Sequence, residues 1–256
     1  MKTPGVMSWT VLMIVLASGS TGRGADPKPV AEDRWEPTIR AFEEQDLKTP
    51  PTPGGNVFVG SSSIRMWKLD RSFPKFACIN RGFGGSQLAD AARYTDRIVT
   101  AYKPRVVVLY SGDNDIASEK SPATIRDDYK TFRDKVRTAL PNSRIVVISI
   151  KPSPSRWKLH EKAIEANRLI REEAQSGTNE IFVDVWPAML GDDGLPRKDL
   201  FLKDELHMNE TGYDNLGKAR RTAPGPKGGL TTNSVKTRRS WEFWGTGCSR
   251  GCWSCR

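Results

Sequence analysis

The sequence predicts an α/β protein: a parallel sheet with helices on both faces. Residues 105–110 (RVVVLY) and 144–150 (RIVVISI) are continuous apolar runs, the pattern of strands buried on both faces. Longer polar segments rich in helix formers lie between such runs. The two kinds of segment alternate along most of the chain, which implies right-handed crossovers between parallel strands.

The elements follow in order. A polar, proline-bearing leader precedes a helix over 35–45 and a turn-rich link, TPPTPGGN. The first strand is 57–59, which meets Gly60, three serines and a helix-like segment over 64–69. A second strand, 77–79, leads into Asn80, and a helix spans 86–102. Strand 105–110 precedes a helix over 123–140 that stops before Pro141. Strand 144–150, a long helix over 157–175 and a fifth strand over 181–185 complete the alternation. A last helix opens at Asp214 and dissolves into APGPKGG.

The net charge of +10 is concentrated at the ends. From Lys218 onward nine Lys and Arg face one acid, Glu242, and the first 25 residues carry Lys2 and Arg23 with none. Together these account for the whole surplus, so residues 26–217 are electrically balanced. A nucleic-acid reading would rest on the tail alone, and no nucleic-acid partner is expected. Residues 1–25 combine Lys2, a mostly apolar stretch too short for a comfortable span, and small residues, the pattern of an export signal. An uncleaved anchor is the rival reading. The expected product is periplasmic or secreted, without stable membrane insertion after cleavage.

Cys78 stands alone in the body, so no disulfide framework holds it. Cys248, Cys252 and Cys255 have the spacing of an iron–sulfur motif, but they end the chain and lack a nearby fourth ligand, so the spacing is read as accidental. The expected division is a signal over 1–25, a leader and helix over 26–55, the main domain over 56–217, and a basic tail over 218–256 that reads as disordered or frameshifted. No metal or cofactor is expected, and the oligomeric state is left open.

The chemistry lies in loops that follow strands. Serine at a strand end can be a nucleophile or merely a helix cap. The chain has two histidines. His160 falls inside a helix and is expected to face solvent. His207 lies three residues after Asp204 in KDELHMNETGY, a spacing that lets the carboxylate hold one ring nitrogen while the other faces a serine. NRGFGGS (80–86) could present backbone N–H groups to an anion, and Asn114 in SGDND could offer a side-chain amide to a developing oxyanion. The glycines do not fit the dinucleotide fingerprint. Each loop alone has turn chemistry. Joint placement after strands puts all four at one sheet edge, where ligands bind in open α/β folds.

In these blocks the chain resembles the SGNH hydrolases, also called GDSL esterases/lipases, and within them the platelet-activating-factor acetylhydrolase-like branch. Gly60-Ser61-Ser62 matches the family's Gly-Asp-Ser, Gly85 its second-block glycine, Gly112-Asp113-Asn114-Asp115 its Gly-x-Asn-Asp, and Asp204 with His207 its Asp-x-x-His. The resemblance implies a flavodoxin-like three-layer α/β/α sandwich with a five-stranded parallel sheet in order 2-1-3-4-5. It implies a Ser62–His207–Asp204 triad and an oxyanion hole of the Ser62 and Gly85 N–H groups and the Asn114 side chain. Short acyl or acetyl esters, including acylated carbohydrates, are the implied substrates. A lysophospholipid or other lipid ester is the alternative, as is a degenerate module that binds glycans without cleaving them. Ser61 departs from the family's aspartate, and Ser63 is expected to cap the helix. The family's closing helix is expected to decay after about Leu216.

Overall fold

The computed structural model describes residues 33–219 together with Met1. Apart from Met1 and Asp33, these fall in a compact unit beginning at Arg34. The predicted export signal beyond Met1, and the tail from Arg220 with its three cysteines, lie outside the described residues.

Five strands form one sheet, β1 (Asn56–Gly60), β2 (Cys78–Gly82), β3 (Val106–Tyr110), β4 (Arg144–Ile148) and β5 (Glu180–Val183). Their spatial order is β2-β1-β3-β4-β5, as the resemblance implied, and every pairing is parallel. All carboxyl ends therefore lie at one edge. Strand alternation sends successive side chains to opposite faces. Val57, Val59, Val107, Leu109, Ile145 and Val147 join one apolar core, while Phe58, Val106, Val108, Tyr110, Val146 and Ile148 join another.

The first core is closed by long helices: α4 (Leu88–Ile98), α6 (Pro122–Ala139) and α7 (His160–Ser176), with α1 (Glu36–Lys48) packed on α4. Ser121 caps α6 by accepting the Thr124 N–H, and Pro122 fits the first turn, where its missing N–H costs nothing. Arg97 of α4 reaches Glu36 and Glu43 of α1 at 2.7 Å each. Buried Arg81 pairs with Asp46 and donates to the Tyr102 hydroxyl at 2.9 Å. The second core is covered by two single turns, α2 (Ser62–Arg65) and α3 (Leu69–Ser72), and by α8 (Glu210–Ala219).

Several boundaries differ from expectation. β2 continues through Gly82 because Arg81 and Gly82 pair with Val59 and Gly60, so half of the expected glycine loop is strand. The single helix expected over 64–69 is two four-residue turns. The helix expected from 157 begins as a 3-10 turn, Pro154–Leu159, before α7 starts at His160. The final helix starts at Glu210 rather than Asp214, because the Asn209 side chain caps it by accepting the Gly212 N–H at 3.0 Å.

Candidate active site

Gly60 sets the site's geometry. Its φ is +139°, and a β-carbon there would lie 1.8 Å from the Tyr110 carbonyl oxygen on the neighbouring strand. Only glycine lets β1 end so close to β3 and turn at once into α2. The Ser61 N–H donates to that Tyr110 carbonyl at 3.1 Å, and the Ser61 carbonyl accepts from Ile64 and Arg65. Ser61 is therefore the N-cap residue of α2, although its side chain makes no capping bond. This corrects the expectation for Ser63, which is buried within the turn.

Ser62, the first residue of α2, is half-buried. Its Oγ lies 3.0 Å from His207 Nε2, and His207 Nδ1 lies 2.6 Å from Asp204 Oδ2. Asp204 Oδ1 also accepts the Leu206 and His207 backbone N–H groups at 3.0 and 2.9 Å. The hydrogen bond from His207, then these backbone donors, lower the Asp204 carboxyl to about 2, so it stays charged at neutral pH. A serine hydroxyl, an imidazole and a carboxylate thus form one hydrogen-bonded line.

Asn114 reaches the loop that carries Gly85. Gly85 has φ +83°, a left-handed conformation suited to glycine. Among the described residues neither its N–H nor that of Ser62 has an acceptor. Asn114, on the short helix α5 (Asp113–Ala117), donates from Nδ2 to the Ser86 carbonyl at 2.9 Å and accepts at Oδ1 from Arg156 at 3.1 Å. One amide proton remains uncommitted. The three expected donors lie on loops that follow the adjacent strands β1, β2 and β3 at one sheet edge. Asp115 supports the arrangement by accepting the Leu88 N–H that starts α4. Burial raises the Asp115 carboxyl despite its partner Lys120.

Lys151, Tyr110 and Arg156 escaped the sequence reading, which took in Asp113 only as the second residue of the Gly-x-Asn-Asp block. Asp113 is buried and receives Lys151 Nζ at 2.5 Å and the Tyr110 hydroxyl at 2.8 Å. Burial alone would push its carboxyl up, but the Lys151 ammonium outweighs that and holds it below the ordinary value. Burial keeps the Tyr110 phenol neutral. Arg156 is the third, joined to Asn114. His160 meets the expectation of a solvent-facing residue only in part: it is half-buried at the start of α7 and stacks on Trp157 at 4.5 Å, with Nδ1 2.8 Å from the Trp157 carbonyl. Both rings line a cleft that also takes in Asp113, Lys151, Arg156 and Trp186.

A parallel α/β sandwich with this edge constellation defines the class of ester-bond hydrolases. The family model for the GDSL-like lipase/acylhydrolase family matches residues 60–214, and the chain belongs to that family. Solved structures with the same fold include a candidate platelet activating factor from Streptococcus pneumonia (21% identity, TM-score 0.65, covering 72% of this chain and 90% of that one). A GDSL-like lipase from Bacteroides thetaiotaomicron is 17% identical (TM-score 0.61, 72% and 95%). A catalytic mutant of an acetylxylan esterase from Geobacillus stearothermophilus is 14% identical (TM-score 0.54, 66% and 93%). No curated protein matches the chain.

Proposed function

We propose that this hydrolase is an exported serine esterase that removes short acyl groups, acetyl above all, from carbohydrates through an acyl-enzyme. The observation that carries the reading is the Ser62–His207–Asp204 line, with contacts of 3.0 and 2.6 Å. His207 takes the Ser62 proton as Oγ attacks the ester carbonyl, and charged Asp204 stabilises the imidazolium. The tetrahedral oxyanion meets the Ser62 and Gly85 N–H groups and the free Asn114 amide proton. The alcohol departs with the proton from His207. Water, deprotonated by the same imidazole, then releases the acid.

The carbohydrate assignment is supported by the half-buried Trp157 and Trp186 in the cleft adjoining Asp113, since flat aromatic walls with a few polar groups suit a sugar ring. The likeness to an acetylxylan esterase points the same way. Among the described residues no helix is long and apolar enough to cross a membrane; export rests on the sequence of residues 1–25.

Hydrolysis of p-nitrophenyl acetate tests the chemistry. Ser62→Ala is expected to lower kcat by roughly 10⁴-fold or more. Equal rates in wild type and variant would remove the esterase and leave a glycan-binding module.

A further inference from the structure

Among the described residues many arginines have carboxylate partners; Arg40, Arg71, Arg81, Arg97, Arg133 and Arg168 each do. Three others gather at the loop over 84–86. Arg34 Nη2 donates to the Gly85 carbonyl at 3.4 Å. The Arg65 guanidinium packs so closely on Gly84 that a β-carbon there would lie 2.8 Å from Cζ. Arg156 Nη2 holds Asn114 Oδ1 at 3.1 Å, and Asn114 in turn holds the Ser86 carbonyl. Among the described residues none of the three shares an ion pair with a carboxylate. The nearby acids have other hydrogen-bonded partners, Asp113 in Lys151, Asp204 in His207 and Glu205 in Lys198, although the Arg156 charge also acts on Asp113.

Each of these guanidinium groups sits on a different segment. Arg34 precedes α1, Arg65 ends α2 three residues after Ser62, and Arg156 lies in the 3-10 turn before α7. That turn is also tied to the Asp204–His207 loop, since the Ser155 N–H donates to the Glu205 carbonyl at 3.1 Å. Arg34 and Arg65 are exposed, so their remaining donors are available to a ligand. In a body of balanced charge, two exposed cations beside one ester-binding loop, with half-buried Arg156 on Asn114, form a local positive field. Guanidinium forks bind carboxylates and phosphates in preference to neutral groups.

The geometry points to an anion-recognising rim: exposed Arg34 and Arg65, with Arg156 holding Asn114, select an ester that carries a negative group beside the scissile bond. The substrate class is thereby narrowed from neutral acetylated sugars to acylated acidic ones, or to acyl groups that themselves end in a carboxylate. This inference rests on the esterase reading for its chemistry but not for its binding.

Two anionic probes separate the sources of charge. p-Nitrophenyl hemisuccinate carries the carboxylate on the acyl side, and 4-acetoxybenzoate carries it on the alcohol side. Their neutral counterparts are p-nitrophenyl acetate and methyl 4-acetoxybenzoate. The wild type is expected to prefer at least one anionic member of these pairs by about tenfold in kcat/KM, a preference that salt erodes. Arg34→Gln with Arg65→Gln is expected to abolish the preference. Equal use of both members of each pair, or a preference that the double variant retains, overturns the rim. Equilibrium binding of p-nitrophenyl hemisuccinate to the Ser62→Ala protein needs no turnover. Binding that is salt-sensitive and weakened about tenfold by the two Gln substitutions supports the rim even where the esterase reading fails; binding indifferent to both overturns it.

Discussion

The two faces of the sheet are built differently, and each supplies a different half of the candidate site. One face is closed by α4, α6 and α7, braced to α1 by Arg97 with Glu36 and Glu43. The other is roofed by single turns and α8, whose Tyr213 and Leu216 complete the core. Gly85 and Asn114 belong to the braced side: Phe83 and Leu88 flank the glycine loop, and Ile116 anchors α5, all in the first core. Ser62 and His207 belong to the thin side, flanked by Ile64 and Met208 in the second. Two of the three proposed oxyanion donors, Gly85 and Asn114, are thus on the braced side, and such donors work by not moving, because a preorganised dipole pays no reorganisation during reaction. In the proposed mechanism Ser62 and His207 exchange a proton, and they sit where packing is carried by short elements.

The most direct way to break this division is on the braced side. Asn114→Ala is expected to cost kcat roughly a hundred- to a thousand-fold with KM little changed, because the amide acts on charge that develops in the transition state. Its thermal midpoint should stay close to wild type, since the helices that hold α5 are untouched. A matching rise in KM would place Asn114 in ground-state binding instead.

Lys151 joins the two sides. It holds Asp113, the residue before Asn114, and it contacts Tyr110 on the face that carries Ser63. Lys151→Met leaves a buried carboxylate without its cation, a change expected to cost about 3–5 kcal/mol at pH 7. The pH dependence has a definite sign. In wild type the lowered Asp113 carboxyl contributes stability above its unfolded value, and that contribution is lost as pH falls through the folded value. Without Lys151, burial raises the same carboxyl, so the carboxylate destabilises at neutral pH and protonation relieves it. Urea unfolding at pH 7 and pH 5 should therefore show the gap between wild type and variant narrowing at the lower pH. A gap that stays constant would mean Asp113 is held by other groups.

How much of this could be read in the sequence depends on the kind of signal. Strands buried on both faces announce themselves as RVVVLY and RIVVISI, and their alternation with helical segments gives the parallel sheet. Ser62, Gly85 and Asn114 were legible because each lies in a short motif next to a strand end, and Asp204 with His207 because of their three-residue spacing. Arg156 and Lys151 were not, nor was the pairing of Asp113. Their partners are 42 and 38 residues apart in the chain, and nothing local marks a charge pair that only the crossover brings together. Lys151 did leave a trace, a lysine placed directly after a buried strand. The 3-10 turn before α7 was hidden because Trp157 and Leu159 extend the helical periodicity backwards. The α8 start was missed because Asn209 and Gly212 read as loop residues, whereas the Asn209 side chain caps the helix and also binds the Asp199 and Phe201 carbonyls.

The thin side offers the smallest and most discriminating test. The Tyr213 hydroxyl on α8 donates to the Ser63 carbonyl at 2.9 Å, and its ring lies 5.5 Å from that of Trp67. Glu210 of the same helix pairs with Lys68 and Arg71 on the surface, where such contacts contribute little. Tyr213→Phe keeps the ring and removes one buried donor, at an expected cost of about 1 kcal/mol in stability. Because the lost bond anchors the residue next to Ser62, kcat should fall by a few-fold while the KM for a small ester holds. If α8 were only a lid on the core, stability would drop and kcat would not. If both dropped as far as in Lys151→Met, the thin layer would be as tightly coupled to the oxyanion loops as the braced one, and the division between the two faces would fail.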